Sequence, residues 1–145
     1  MKVKDIMTKR AVCIGPEASA QEAASKMRRE KIGSLLVVNE EGKLLGIVTD
    51  RIIALDVAGK GLDPRQAKVN DFMEENIISI SPEMDLAKAA RLLEELEIRY
   101  LPVVRNDEVV GILSVSDIAR FVQKFIDSIF VELTERVKKR ERERR

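Results

Sequence analysis

Two short segments of the chain place a hydroxyl side chain three residues before a position that holds a carboxylate in only one of them. The segment GILSVSDIAR contains Ser114, Ser116 and Asp117. The segment GIVTDRIIAL contains Thr49 but has Ile52 where an aspartate would repeat the spacing. A carboxylate can accept hydrogen bonds from both hydroxyls of a ribose, and hydroxyls beside the N–H groups of a helix start can hold a phosphate. The spacing therefore predicts one nucleotide-type cleft and one degenerate cleft, although Asp117 could instead only cap a helix.

The composition argues against catalysis and against a metal centre. The chain has 145 residues, no histidine and a single cysteine, Cys13. It therefore has no Ser–His or Cys–His nucleophile, and it lacks the commonest transition-metal ligand. We expect no catalytic residues, no enzymatic activity and no metal site. Charged residues make up 35% of the chain, and no apolar run approaches the roughly 20 residues of a membrane span, so we expect a cytoplasmic protein without membrane contact.

The chain contains two copies of one unit. The segment KVKDIMTKRAVCIGPEASAQEAASKM matches KVNDFMEENIISISPEMDLAKAARLL at an offset of 66 residues, which places Asp5 on Asp71. After a slip of one residue in a turn, Gly46 aligns with Gly111 at an offset of 65. Because the identities occur in the same order through the whole unit, they indicate a tandem repeat.

Each copy is predicted to fold as a β-α-β-β-α unit. A short apolar strand, AVCI or IISIS, precedes an amphipathic helix, and two Val-, Ile- and Leu-rich strands and a further helix follow. Ser19 and Glu22 are predicted to form a capping box in copy one, and Asp85 takes the N-cap position in copy two. The predicted fold class is α+β, with two repeats packed with pseudo-twofold symmetry and an extended C-terminal helix. The predicted boundaries are repeat 1 over 1–61, a linker over 62–67, repeat 2 over 68–122 and an amphipathic helix with a basic end over 123–145.

These features together resemble tandem CBS domains, the Bateman module named after cystathionine beta-synthase. The resemblance rests on the repeated KDIM and NDFM segments, the YLPVV strand and the Gly-x-x-Ser/Thr-x-x-Asp element, and it covers about residues 1–122. It implies a non-catalytic regulatory module that binds an adenosyl ligand between the repeats and signals to a partner by a conformational change. The implied ligands are AMP, ADP, ATP or S-adenosylmethionine. The implied site residues are Asp117 for the ribose, Ser114, Ser116 and Arg99 for phosphate, and Met7, Ile32, Gly33 and Ser34 for the base.

The second cleft is predicted to be weaker. Ile52 would present an apolar group to the ribose, and an unpaired buried diol costs roughly 1 to 3 kcal/mol. Arg99 and Tyr100 occupy positions that hold small residues in repeat 1, and their bulk would crowd a purine. Thr49 and Arg51 retain some anion-binding character. We therefore expect about one ligand per chain.

The C-terminal helix suggests protein partners. Its apolar stripe is longer than one module needs, which predicts a homodimer or a docking surface for an effector protein. The stripe consists of Ile118, Phe121, Val122, Phe125, Ile129, Leu133 and Val137. The last ten residues, RVKKRERERR, contain seven Lys or Arg and two Glu, a net charge of +5 that leaves nucleic-acid binding open but is explained more simply as a solvated helix end. The alternatives to a ligand sensor are a structural dimerisation or adaptor module with vestigial clefts, or a nucleic-acid-binding protein.

Overall fold

The computed structural model describes residues 1–145 and has an α+β architecture with a long C-terminal helix, as predicted. The first half contains a 3-10 turn (Val3–Asp5), β1 (Thr8–Lys9), β2 (Cys13–Ile14), α1 (Ala20–Glu30), β3 (Ser34–Val38), β4 (Leu44–Thr49) and α2 (Asp50–Ile52), which continues as a π-helix over Ile53–Ala58. The second half contains α3 (Val69–Phe72), α4 (Leu86–Glu95), β5 (Tyr100–Arg105), β6 (Glu108–Ser114) and α5 (Val115–Glu143).

The starts of the two equivalent helices α1 and α4 are held differently. At α1, the predicted capping box is present: Glu22 N donates to Ser19 Oγ at 3.1 Å, and Ser19 N donates to Glu22 Oε2 at 3.2 Å. Helix α4 begins after Asp85 as predicted, but the Asp85 side chain makes no capping hydrogen bond. The chain terminus supplies an acceptor there, since Leu86 N donates to Met1 O at 2.9 Å.

The molecule contains two three-stranded sheets. One sheet has the strand order β2-β3-β4, and the other has the order β1-β6-β5. The predicted first strand of copy one forms as β2, which pairs parallel with β3. The equivalent segment of copy two, IISIS, was predicted as a strand but contributes only a parallel bridge between Ile80 and Val103. Ile78 in the same segment is exposed, so burial does not hold this segment along the full edge of β5.

The first residues of each copy pack into the core of the other copy. Val3 is fully buried in the apolar cluster around β5 and β6, and Val69 is fully buried in the cluster around β3 and β4. Val3 N donates to Met84 O at 2.9 Å, and Val69 N donates to Ala18 O at 2.8 Å. The two donor residues are 66 positions apart in the chain, and so are the two acceptor residues. The exchange is therefore reciprocal, as the predicted pseudo-twofold arrangement requires.

Two glycines allow the exchanged segments to approach β6 and β4 at close range. A Cβ atom at Gly111 would lie 2.8 Å from the carbonyl oxygen of Thr8, and a Cβ atom at Gly46 would lie 2.8 Å from that of Glu74. A glycine inside a strand is characteristic of such a close backbone approach. The aligned glycines of the repeat therefore have the same structural role in both sheets.

Helix α5 exposes most of its apolar side chains. It has 29 residues, which corresponds to about 43 Å at about 1.5 Å per residue, and Asp117 is its only buried residue. The exposed large apolar side chains are Val115, Val122, Phe125, Ile126, Ile129, Phe130, Val131, Leu133 and Val137. The predicted stripe thus lacks a partner within the chain along most of its length. None of the helices combines the length and the apolarity that crossing a membrane requires.

Candidate functional site

A cavity of about 240 Å³ lies where the start of β3 meets the junction of β6 and α5, between the two repeats. Six of the eight residues predicted for the stronger cleft line this cavity. They are Ile32, Gly33, Ser34, Ser114, Ser116 and Asp117. Ligand pockets commonly measure about 300 to 1,000 Å³, so this volume suits a small molecule of which part remains outside the cavity.

A capping box holds Asp117 at the start of α5. Ser114 N donates to Asp117 Oδ2 at 2.9 Å, and Asp117 N donates to Ser114 Oγ at 3.0 Å. In addition, Val115 N donates to Arg99 O at 3.0 Å. Three N–H groups at this helix start are therefore occupied within the chain, so it offers an incoming anion fewer free donors than the sequence suggested.

The second carboxylate oxygen of Asp117 binds two side chains that sequence reasoning missed. Thr8 Oγ1 donates to Asp117 Oδ1 at 2.9 Å, and Arg120 donates to the same oxygen. The Asp117 side chain is 3% exposed, whereas that of Arg120 is 64% exposed. A carboxylate has about four acceptor positions, of which three are in use. A ribose diol that takes two positions must therefore displace Thr8 or the more exposed Arg120.

The two missed residues differ in how visible they were in the sequence. Arg120 follows Asp117 by three residues on one helix, a spacing at which opposite charges commonly pair. Thr8 lies 109 residues away from Asp117 in the chain, and only the pairing of β1 with β6 brings it near. No local pattern in the sequence could have placed Thr8 beside this carboxylate.

Two residues predicted for the stronger cleft lie outside the cavity lining, and one predicted for the weaker cleft lies inside it. Met7 packs against the apolar cluster around β5 and β6, and Arg99 contributes its carbonyl to the start of α5, so neither lines the cavity. Tyr100 does line it. Tyr100 pairs with Ser114 in the register of β5 and β6, which places both residues at the same end of the sheet.

The equivalent helix start in repeat 1 has only half of the arrangement found at Asp117. Ile52 N donates to Thr49 Oγ1 at 3.2 Å, but Ile52 has no acceptor that could bind Thr49 N in return. The neighbouring carboxylate, Asp50, accepts from Arg51 N at 2.8 Å. Neither Thr49 nor Arg51 lines the cavity at Asp117. Repeat 1 therefore holds no carboxylate at the position that Asp117 occupies in repeat 2.

The single thiol is unsuited to nucleophilic attack at neutral pH. Cys13 is half-buried, and its Sγ donates to Ala11 O at 3.3 Å. Burial raises the pKa of the Cys13 thiol above its usual value, and the nearby Lys26 opposes this shift only in part. The thiol therefore stays protonated. No three His, Cys, Asp or Glu side chains lie close enough together to hold a metal ion.

A larger groove, of about 510 Å³, lies between the end of the π-helix and residues 62–74 and contains none of the predicted site residues. Its lining includes Asp63, Asp71 and Glu74, together with Lys60, whose Nζ lies 3.7 Å from an oxygen of Asp56. Clustered exposed carboxylates are ordinary on a solvated surface. The smaller cavity is the better candidate because it contains a buried, hydrogen-bonded carboxylate.

Comparison with protein families identifies relatives of this chain. A family model for the CBS domain matches residues 3–58 and residues 69–124. The CBS domain-containing protein YhcV of Bacillus subtilis is 39% identical over 117 residues, which cover 81% of this chain and 82% of the relative. Hypoxic response protein 1 of Mycobacterium tuberculosis is 30% identical over 129 residues, which cover 89% of this chain and 90% of the relative.

Solved structures show the same architecture. The crystal structure of Hypoxic Response Protein I, which has two coordinated zinc ions, has a TM-score of 0.76 and 30% identity, covering 83% of this chain and 98% of that one. The CBS domain pair of protein MJ0100 was solved in complex with 5-methylthioadenosine and S-adenosyl-L-methionine. It has a TM-score of 0.78 and 30% identity, covering 86% of this chain and 97% of that one.

Proposed function

The chain belongs to the CBS-domain family and carries two CBS domains in tandem, and from this premise we propose that it is a regulatory module that binds an adenosyl ligand in the cavity at Asp117. The observation that carries the proposal is the convergence of residues from both repeats on one cavity. Repeat 1 contributes Gly33 and Ser34, and repeat 2 contributes Ser114 and Asp117. A ligand bound there contacts both repeats at once. The adenosyl compounds bound by the MJ0100 pair support this ligand class.

The residues divide into three roles. Asp117 accepts the ribose hydroxyls after Arg120 gives up its position on the carboxylate. The hydroxyls of Ser114 and Ser116 lie on the phosphate side, at the start of α5. The base lies beside Ile32 and Gly33 of repeat 1, which line the same cavity. Two further residues, Met7 and Arg99, join this site only if a ligand repositions their side chains.

The bond between Thr8 and Asp117 couples the site to the packing of the repeats. Thr8 belongs to the N-terminal residues that precede α1 yet pair with β6 of repeat 2. The same stretch binds the start of α4, since Leu86 N donates to Met1 O. A ribose that replaces Arg120 binds beside Thr8 on the same carboxylate, so it changes one contact of this stretch and shifts the balance between two arrangements of the repeats. This is regulatory binding without a chemical step.

We assign the exposed face of α5 to a second copy of the chain. Phe125 and Phe130 are 57% and 64% exposed, and an apolar stripe of this length is unusual on the surface of a monomer. Docking of an effector protein is the alternative occupant of this face. Light scattering of the purified chain at micromolar concentration should give twice the monomer mass, and Phe130→Glu should give the monomer mass. A monomer before substitution would remove the homodimer and leave the effector protein.

Isothermal titration with AMP, ADP, ATP and S-adenosylmethionine tests the ligand site. Saturable binding of at least one of them is expected near one per chain, and Asp117→Ala should abolish it. Glu22→Ala is the matched control, because it removes the carboxylate of the other capping box without touching the cavity. Binding that is retained in Asp117→Ala, or lost equally in the control, would contradict the assignment of the site. The absence of heat with all four compounds would favour an adaptor module with vestigial clefts.

A further inference from the structure

The charged side chains that line the cavity bear on the charge of its ligand. They are Lys31, Arg120 and Asp117. The negative charge of Asp117 is already matched, because the carboxylate accepts hydrogen bonds from Arg120, from Thr8 and from Ser114 N. The lining thus has two cations and one anion, and the anion is compensated by groups of the chain itself.

Lys31 supplies a cation that no carboxylate neutralises. It follows α1 in the left-handed conformation, with φ of 56°, at a helix end where glycine is the usual residue. Lys31 takes part in none of the ion pairs of the structure. Its ammonium group is therefore available to a ligand in the adjoining cavity.

Arg120 becomes a second available cation when the ligand binds. Its guanidinium is bound to Asp117, while most of its side chain is exposed. A ribose that binds Asp117 releases the guanidinium at the edge of the cavity, one helical turn from the carboxylate. A guanidinium binds a phosphate or carboxylate through two parallel hydrogen bonds. Thus the exchange at Asp117 provides an anion-binding group beside the bound sugar.

On the premise of the proposed adenosyl site, we infer that Lys31 and Arg120 make it selective for an anionic adenosine derivative over a neutral or sulfonium-bearing one. The helix start cannot provide this selectivity alone, because the N–H groups of Ser114, Val115 and Asp117 are occupied. A sulfonium adds a cation to a lining whose net charge is already +1, whereas a phosphate meets that charge with the opposite sign. Selection by charge is thus built from two side chains outside the Ser-x-x-Asp element.

The test compares three ligands that share adenosine and differ in charge. AMP is anionic, 5-methylthioadenosine is neutral, and S-adenosylmethionine carries a sulfonium. Titration of the full chain should give a dissociation constant for AMP at least tenfold below those of the other two. Raising the salt concentration from 50 to 500 mM should weaken AMP severalfold and leave 5-methylthioadenosine within twofold, because salt screens exposed charges.

The variant Lys31→Met/Arg120→Met identifies the residues responsible. It should lower the affinity ratio of AMP to 5-methylthioadenosine at least tenfold, while Lys124→Met, which removes a cation of α5 outside the lining, leaves the ratio unchanged. Far-ultraviolet circular dichroism verifies that each variant is folded. Equal affinity of the unmodified chain for all three ligands would overturn the inference and leave the proposed function standing. The absence of binding by all three, and by ADP and ATP, would refute both.

Discussion

The close approach at Gly111 leads to a specific prediction about stability. In Gly111→Ala, the new Cβ would lie 2.8 Å from Thr8 O and 2.9 Å from Met7 Sδ. The sulfur can move, but the carbonyl belongs to β1, which pairs with β6 through Thr8 and Lys9. The methyl group must therefore push the N-terminal strand away from β6. Overpacking of this kind costs about 1 to 3 kcal/mol.

The repeat provides a matched pair of variants and a control. In Gly46→Ala, the new Cβ would lie 2.8 Å from Glu74 O at the other sheet, so we expect a loss of unfolding free energy of the same size. Gly15 has nothing within 4 Å of its hypothetical Cβ and no positive φ, so Gly15→Ala should change the free energy of unfolding by less than about 1 kcal/mol, or stabilise the chain. Urea unfolding followed by circular dichroism at fixed protein concentration gives all three values; the chain has no tryptophan for fluorescence.

A double-mutant cycle distinguishes displacement of β1 from a general loss of packing. If Gly111→Ala moves Thr8 away from Asp117, then Thr8→Val has little left to remove, and the double variant should lose about 1 kcal/mol less than the sum of the singles. By contrast, the losses of unfolding free energy caused by Thr8→Val and by Gly46→Ala should be additive, because these two changes lie in different sheets. Equal coupling in both pairs, or a loss below 0.5 kcal/mol in Gly111→Ala alone, would refute the reasoning.

Three further predictions concern single hydrogen bonds and the thiol. Thr8→Val should lower the free energy of unfolding by about 1 to 2 kcal/mol because it removes a bond to a buried carboxylate, and Thr8→Ser should restore most of the loss in urea unfolding; no difference between these two variants would contradict the bond. Ser19→Ala should cost about 1 kcal/mol through the capping box, whereas Asp85→Ala should cost less than half of that because its side chain caps nothing; the reverse order in thermal unfolding would be inconsistent with the structure. Because burial raises the pKa of Cys13, its alkylation by iodoacetamide should reach half-maximal rate at a higher pH than that of an unburied cysteine in a peptide, and a midpoint at or below the peptide value would argue against burial.

Several features of the fold and the site were predictable because they depend on residues close together in the chain. The capping box of Ser19 and Glu22 joins residues three apart, and α5 follows from a long apolar period. The offset of 66 predicted a paired architecture, since two copies of one pattern adopt two copies of one structure. Spacing indicated Ser114, Ser116 and Asp117, and the family resemblance indicated the stretch from Ile32 to Ser34. The structure brings these two stretches together at one cavity.

Other features could not be predicted from local pattern because long-range packing decides them. The IISIS segment has the composition of a strand, yet only Ile80 pairs with β5. Tyr100, which is predicted for the weaker cleft from its position in the repeat, also lines the cavity with Asp117, because the register of β5 and β6 places it opposite Ser114. The sequence suggested that the start of α5 has free N–H donors for a phosphate. In the structure, one of them, Val115 N, already donates to Arg99 O.

The sequence by itself determined that the chain is a repeated α+β unit with one carboxylate at Asp117 and none at Ile52, because these facts depend only on residue type and spacing. It did not determine which sheet each copy's first residues join, since KVKD and KVND could pack with either sheet on local grounds. The tertiary structure decided this: Val3 is buried with the strands of repeat 2, and Val69 with those of repeat 1. That exchange brings Thr8 to Asp117 across 109 residues, because burial of apolar surface acts between segments regardless of their separation in the chain.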